Sequence, residues 1–365
     1  MEKENYKIPE LPLRCDLESK AVLLALNRAN RKLAELRGVA LTIPNEDILI
    51  NTLTLQEAKD SSEVENIVTT QDDLYRADVA QDHNSIKASD KEVMNYREAL
   101  LVGFRDVKAT GLLTTRTIRD IQRHLVFNSA GFRTVPGTSL KRNDGEVVYT
   151  PPQDKSEIER HMANLEKFIN DTTLSGLDPL IKMAIIHHQF ESIHPFYDGN
   201  GRTGRIIIVL YLVISDLLDL PILYLSRYIT HNKVEYYKLL QNIRERQGDE
   251  EDWREWVIFI LRGIEETATE TITLVKSISS LMSEYKSILR PAFGRQYKHE
   301  LINNLFFHPY TKIEFIERDL MVTRKTAAAY LEKIVDLGLL TKEKTGKTNY
   351  YVNKRLVEIF TGQRG

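Results

Sequence analysis

His194-Pro195-Phe196-Tyr197-Asp198-Gly199-Asn200-Gly201-Arg202-Thr203-Gly204-Arg205 decides how this chain is read. Within twelve residues it sets out a general base, a hard-metal ligand, a glycine-rich anion cradle and two guanidinium groups. Gly199-Asn200-Gly201 gives flexible backbone just before an aliphatic run, Ile206 to Leu210, that reads as a helix. The amides of such a turn and the positive end of the helix bind anions. Asp198 is an oxygen ligand of the type Mg²⁺ prefers, and Mg²⁺ commonly arrives with substrate phosphates. Arg202 and Arg205, three apart, share one helix face, and each forks two donors onto phosphate oxygens. Thr203 and Gly204 lie between them and complete the nucleotide-binding set. His194 ordinarily titrates near neutrality, which suits a base that accepts a proton from a hydroxyl. A solvated loop between helices would account for a lone Gly-Asn-Gly. It does not account for every group needed in transfer of a nucleotide phosphate appearing together.

The stretch resembles the signature of the Fic (filamentation induced by cAMP) proteins, His-x-Phe-x-(Asp/Glu)-Gly-Asn-Gly-Arg-x-x-Arg. His194, Phe196, Asp198, Gly199, Asn200, Gly201, Arg202 and Arg205 match every fixed position. The resemblance implies transfer of AMP from ATP to a Tyr, Thr or Ser hydroxyl of a protein, itself included, with release of pyrophosphate. It implies that His194 takes the hydroxyl proton and that Asp198 holds Mg²⁺ bridging the α- and β-phosphates. Asn200 and the amides around Gly199 and Gly201 would steady the α-phosphate. Arg202 would hold the β-phosphate region and Arg205 the γ-phosphate, while Phe196 anchors the loop.

A second stretch, Ser61-Ser62-Glu63-Val64-Glu65-Asn66, matches the family's inhibitory pattern (Ser/Thr)-x-x-x-Glu-(Gly/Asn). Glu57-Ala58 and Ile67-Val68-Thr69-Thr70 around it also look like the Fic N-terminal region. The resemblance places the chain in the class with an N-terminal inhibitory helix. Glu65 would pair with Arg205, using the guanidinium fork meant for the γ-phosphate. The same carboxylate near bound phosphate could orient water and remove AMP, so the direction of the reaction stays open.

Phe132-Arg133-Thr134-Val135 and Glu146-Val147-Val148-Tyr149 are β-prone runs, with Asn143-Asp144-Gly145 supplying a hairpin turn between them. The segment from Phe132 to Tyr149 resembles the family's flap, whose edge would pair with an extended target protein. The family resemblance implies that the region around Tyr236-Tyr237 packs on adenine, with Tyr237 the candidate for stacking, or else the two form a core aromatic pair. His187 and Glu191 have metal-chelating spacing, but without a second histidine pair at zinc spacing His187 and His188 read as packing and hydrogen-bonding residues.

A chain of 365 residues implies two or three domains. Hydrophobic content of 42% and charged content of 28% are ordinary for a globular protein. A net charge of -2 provides no global field for nucleic acid or membrane. Cys15 is the sole cysteine, so no internal disulfide forms, which fits a reducing cytoplasm. The first residues lack a signal-peptide apolar core, and apolar runs such as Ile206 to Ile214 are too short to span a bilayer. The expectation is a cytoplasmic protein without membrane contact.

Helical periodicity runs through Lys20–Arg37, Ile48–Ala58, Lys91–Lys108, Thr114–Phe127, Ser156–Asn170, Asp178–Ser192 and Arg202–Leu217. It continues through Leu225–Glu245, Trp253–Thr269 and Ile272–Ile288. Lys59-Asp60-Ser61-Ser62 reads as a break, with a serine capping the segment after it. After Arg290-Pro291-Ala292-Phe293-Gly294 come a short helix at Thr311–Glu317, a helix at Arg324–Leu337 capped by Thr323 and closed by Gly338, and a hairpin around Thr345-Gly346-Lys347. That order resembles a winged helix-turn-helix domain. From Gln296 to Gly365 eight lysines and four arginines face eight acidic residues, a mild basic bias. DNA and a docked protein both remain open as its partner.

The expected fold is therefore mainly α: a Fic-type helical bundle with a β-hairpin flap and a C-terminal winged helix-turn-helix domain. Residues 1-110 form the N-terminal helical region with the inhibitory segment, 111-290 the catalytic core and 291-365 the winged domain. Family members often dimerise. Two rival functions stand beside AMP transfer: removal of AMP or transfer of another phosphate-containing group, and a nucleotide-sensing regulator that binds DNA.

Overall fold

The computed structural model describes residues 6–79, 86–141, 145–345 and 348–362. The expected turns at Asn143-Asp144 and Gly346-Lys347 lie outside them, as do residues 1–5. Helices dominate the described residues. In chain order they begin with α1 (Lys20–Ala40), α2 (Glu46–Val64), α3 (Gln71–Asp78), α4 (Ala88–Thr110) and α5 (Thr115–Val126). A two-stranded hairpin, β1 (Leu140–Lys141) and β2 (Val147–Tyr149), precedes α6 (Lys155–Asn170), α7 (Pro179–Ile193) and α8 (Asn200–Ile214). Then come α9 (Leu225–His231), α10 (Lys233–Glu245), α11 (Glu250–Phe293) and α12 (His299–Phe307). The chain finishes with β3 (Tyr310–Thr311), α13 (Ile313–Leu320), α14 (Arg324–Asp336), β4 (Thr341–Thr345), β5 (Thr348–Val352) and α15 (Lys354–Thr361).

The chain divides into two compact units, neither of them one continuous stretch. The first comprises Met1–Arg37, Thr54–Val68 and Glu92–Thr269. Its centre is the antiparallel pair α7 and α8, flanked by α6 and α5. Leu180 to Ile193 are all buried, as are Arg202 to Leu212, so both helices are enclosed on every side. Side chains set the helix starts. Asp154 caps α6, accepting from Ser156 and Glu157 N–H, and Asp178 caps α7 ahead of Pro179. Thr114 caps α5.

The second unit comprises Gly38–Leu53, Thr69–Lys91 and Glu270–Gly365. Here α12, α13 and α14 pack beside an antiparallel sheet in the order β3-β5-β4. Thr323 caps α14, accepting from Thr326 N–H, and Gly338 follows that helix at φ 73°. Asn353 ties the unit together: it caps α15 and donates to Leu305 O, while Tyr285 Oη donates to Asn353 Oδ1.

Local reading and structure part in several places. α2 runs unbroken through Lys59–Ser62, and Ser61 and Ser62 are buried inside it rather than capping a new helix. Leu225–Glu245 is two helices parted at Asn232, whereas Trp253–Ile288 lies in one helix. Strand β1 is Leu140–Lys141, not Phe132–Val135, whose backbone is committed elsewhere. α3, α12 and α15 were not anticipated. Among the described residues no helix is long and apolar enough to cross a membrane.

Candidate active site

α7 stops at Ile193, and His194 closes it in the left-handed region, φ 48° and ψ 57°, donating its N–H to Phe190 O at 2.9 Å. The reversing loop is pinned by Phe196, wholly buried against Phe132 and Phe190 with centroids 5.2 and 6.4 Å apart. Asn200 clamps the same residue. Its Oδ1 accepts from Phe196 N–H and its Nδ2 donates to Phe196 O, both at 2.8 Å. The side-chain amide of Asn200 thus holds the loop, and its backbone N–H belongs to the helix start.

Gly199 opens α8 at φ 79°, where a Cβ would also lie 2.9 Å from Val126 Cγ1. Conformation and space both require glycine there. No side chain caps α8, so its first-turn N–H groups are not satisfied in the usual way. Gly201 has no room for a Cβ either, because Glu65 Oε1 sits against it. Gly204 faces α7, where a Cβ would meet Glu191 Oε1 at 2.6 Å. Thr203 is buried, and its hydroxyl finds no partner among the described residues.

The two arginines differ in their surroundings. Arg205 is 1% exposed. Its Nε donates to Ser61 Oγ at 2.7 Å, and its NH2 donates to Ser61 O at 3.0 Å and Glu65 Oε1 at 2.8 Å. Burial, the largest influence, would lower the Arg205 pKa, but Glu65 together with the Tyr236 and Tyr96 hydroxyls outweighs it and raises the pKa above its usual value. Burial likewise pushes the Glu65 carboxyl up, and Arg205, with Arg202 and Lys233 behind it, pulls it below the usual range. Arg202 is 6% exposed, donates from NH1 to Glu92 Oε2 at 3.0 Å, and leaves Nε buried without a partner among the described residues.

Glu65 is delivered by the end of α2. Asn66 takes the left-handed conformation, φ 63°. Ile67 N–H then bonds Ser62 O and Asn66 N–H bonds Glu63 O, at 3.0 and 2.9 Å. That is a Schellman closure, which wants Gly or Asn at the left-handed position. Ser61, one turn earlier, supplies the bonds to Arg205. The pattern (Ser/Thr)-x-x-x-Glu-(Gly/Asn) thereby has a physical reading at each fixed position.

His194 Nδ1 is buried without a partner among the described residues. Burial, then the positive charges of Arg244 and Arg133, push its pKa down to about 3, so the ring is neutral near pH 7. Arg133 was missed in the sequence. It is 1% exposed and donates from Nε to His194 O and from NH2 to Pro152 O, both at 2.8 Å. Its own N–H bonds Pro195 O at 2.8 Å. Thr134 and Val135 N–H bond Tyr197 Oη, which is why this run forms no strand. The only signal was an arginine inside an otherwise β-prone run. Glu92 was missed as well, and gave no local signal.

Asp198 is largely exposed; its Oδ1 accepts from Gly199 N–H at 2.6 Å and lies 3.8 Å from Arg202 NH2. Tyr237 is 45% exposed, edge-on to buried Tyr236 at 5.1 Å. His187 and His188 are core residues. The first bonds Tyr236 Oη at 2.9 Å and stacks on Trp256, and the second bonds Leu240 O and meets Trp253 edge-on.

A glycine-rich helix start, with no side-chain cap among the described residues, lies beside two enclosed arginines, an arrangement with the chemistry to receive an anion. The matches to known families agree with it. Residues 23–105 match the Fic/DOC family N-terminal region, 112–212 the Fic/DOC family, and 281–356 the C-terminal domain of SoFic-like protein adenylyltransferase. The chain belongs to the Fic/DOC family. It is similar to "Protein adenylyltransferase Fic" of Drosophila yakuba, 27% identical over 158 residues, which is 43% of this chain and 28% of that protein. It is also similar to "Protein adenylyltransferase fic-1" of Caenorhabditis briggsae, 34% identical over 67 residues, 18% of this chain and 13% of that one. The matched stretch thus spans less than a third of the length of these curated relatives. A solved Fic family protein from Desulfovibrio desulfuricans G20 shares the fold, with a TM-score of 0.57 at 17% identity over 94% of this chain and 98% of that one.

Proposed function

We propose that this chain transfers AMP from ATP to a protein hydroxyl and that Glu65 restrains the reaction. The observation that carries this reading is the start of α8: no side chain caps it, and Arg202 and Arg205 stand enclosed beside it. Triphosphate is the chemistry that such a start and two guanidinium forks recognise.

In the reaction, the target hydroxyl gives its proton to His194 and its oxygen attacks the α-phosphorus. The bond from that phosphorus to the bridging oxygen of the β-phosphate breaks, and pyrophosphate leaves. A neutral imidazole is needed for the first step, and the depressed His194 pKa supplies one. Phosphate charge beside the ring would raise its affinity for the proton. The backbone amides of Asn200 and Gly201 frame the α-phosphate, with Gly199 setting the turn and its own N–H held by Asp198, and Arg202 and Arg205 take the outer phosphates.

Among the described residues no three His, Cys, Asp or Glu side chains cluster to hold a metal. Asp198 as a single exposed carboxylate nevertheless fits Mg²⁺, which takes one or two protein oxygens and fills its shell with phosphate and water. Bound there, Mg²⁺ would neutralise charge on the phosphates.

Tyr237, exposed on α10, is the candidate ring for adenine. The edge of the β1–β2 hairpin is where an extended target segment would dock. In this reading residues 1-110 carry inhibition, 111-290 catalysis, and 291-365 a winged helix-turn-helix with β4–β5 as the wing.

Intact-mass measurement after ATP and Mg²⁺ tests the proposal. Glu65→Gly should gain adenylyl groups at least about tenfold faster than the parent, the equivalent of ~1.4 kcal/mol in barrier. Label should follow the α- and not the γ-phosphate. No adduct with either protein, or γ-label transfer, would overturn AMP transfer. Equal rates would overturn inhibition alone.

A further inference from the structure

Arg202 and Glu92 form a contact that none of the roles above uses. Glu92, in the second turn of α4, accepts from Arg202 NH1 at 3.0 Å. The carboxylate is 43% exposed, whereas the arginine side chain is 6% exposed. A guanidinium has a side-on edge made by Nε and NH2 and an end-on edge made by NH1 and NH2. Glu92 takes NH1. On the side-on edge, Nε is buried without a partner among the described residues, and NH2 lies 3.8 Å from Asp198 Oδ1. A buried donor left unpaired is costly, so the arrangement calls for an acceptor that completes it. The side-on edge matches two oxygens of one phosphate.

We infer that Glu92 is a positioning residue: by holding NH1 it turns the two-donor edge of Arg202 toward the phosphate chain beside Asp198. The inference rests on the triphosphate reading given above. Its logic is the opposite of the Glu65 contact. Glu65 shares Arg205 with Ser61, and all of these bonds compete with a phosphate. Glu92 occupies NH1, which side-on recognition through Nε and NH2 does not use, and so leaves that edge open.

The test uses the full chain carrying Glu65→Gly, so that Arg205 is free. Calorimetry with Mg²⁺ compares ATP, ADP and AMP in three proteins: Glu65→Gly alone, with Glu92→Ala, and with Glu92→Gln. Glu92→Ala should weaken ATP and ADP by about tenfold and leave AMP unchanged, because only the outer phosphates meet Arg202. Steady-state transfer should show the loss in KM with kcat little altered. Glu92→Gln keeps an acceptor for NH1 and should restore most of the affinity. An unchanged or tighter ATP affinity in Glu92→Ala would overturn the inference and leave AMP transfer standing. Equal weakening of all three nucleotides would overturn it too, as the mark of general damage. A Glu65→Gly protein that binds no ATP would remove both readings.

Discussion

Two helix ends carry the residues proposed as base and restraint, and they do so by opposite devices. At the end of α7 the functional residue itself takes the left-handed conformation: His194, φ 48°. At the end of α2 the functional residue keeps an ordinary conformation and its successor turns, Asn66 at φ 63°. A histidine in that region is unfavourable on its own and persists where surroundings impose it. Here Arg133 grips the His194 carbonyl, and Asn200 clamps Phe196 two residues on. Asn66 needs less, because asparagine tolerates the conformation. Its side chain accepts one bond from Lys233, and the rest is helix closure. His194 and the loop after it are thus held by bonds from two other segments, while the turn that carries Glu65 is held by helix closure and one side-chain bond. That asymmetry suits a fixed catalyst and a removable restraint.

The sharpest way to break the comparison is at the α7 end. His194→Ala in the Glu65→Gly chain should lose AMP transfer by roughly 10²–10⁴-fold, the range for a general base, while ATP affinity holds. Quench-flow with α-labelled ATP reads the first and calorimetry the second. Transfer surviving at the parental rate would show that α7 delivers no base.

At the α2 end the effect should be a few-fold. Asn66→Ala places an ordinary side chain in the left-handed region at about 1–2 kcal/mol, frays the last turn of α2 and loosens Glu65. Asn66→Gly removes the same Lys233 contact without that cost. Automodification should therefore rise in the alanine variant and stay low in the glycine variant. Equal rates in the two would mean that backbone closure does not set the position of Glu65.

The two ends were also unequally legible. The motif from His194 to Arg205 carries its chemistry in residue types at fixed spacing, so its loop and helix start could be read directly. α2 misled because Asp60, Ser61 and Ser62 read as a polar break. They are buried near the end of the helix, and two of them find partners there: Ser61 Oγ accepts from Arg205, and the Asp60 carboxylate accepts from Gln56 while its carbonyl accepts from Thr230 Oγ1. Arg133 misled for the same reason, its partners being carbonyls 19 to 61 residues away. Local periodicity sees a polar side chain and cannot see a partner delivered from elsewhere in the chain. Capping residues such as Asp178 and Thr323 were legible because their partners lie within the same turn.

Arg205 lies within electrostatic reach of a carboxylate from each end, and pH should separate them. Glu65 bonds the guanidinium and is held below the usual carboxylate range. Glu191, on α7, is buried with Oε1 unpartnered among the described residues, and burial pushes it up to about 7 against the pull of Arg205. The linkage signs are opposite. Glu65 contributes stability that is present above its unfolded pKa near 4.5 and lost as pH falls through its lowered folded value. Glu191 contributes stability that is full below 4.5 and lost as pH rises through about 7, because the folded state keeps a proton the unfolded chain has released. His187 and His194, both pushed down to about 3, add to the acid limb: below about 6.5 the unfolded chain takes protons that these rings refuse. Glu57, pushed up to about 8 by burial, contributes a decline of the same sign in parent and variant alike. Urea denaturation should therefore show Glu191→Gln gaining stability relative to the parent as pH rises from about 5 to 7, by at most ~1.4 kcal/mol per pH unit. A constant difference between the two proteins over that range would mean that the α7 carboxylate is already ionised in the fold. Arg205 would then hold both ends by charge, and their difference would reduce to hydrogen bonding.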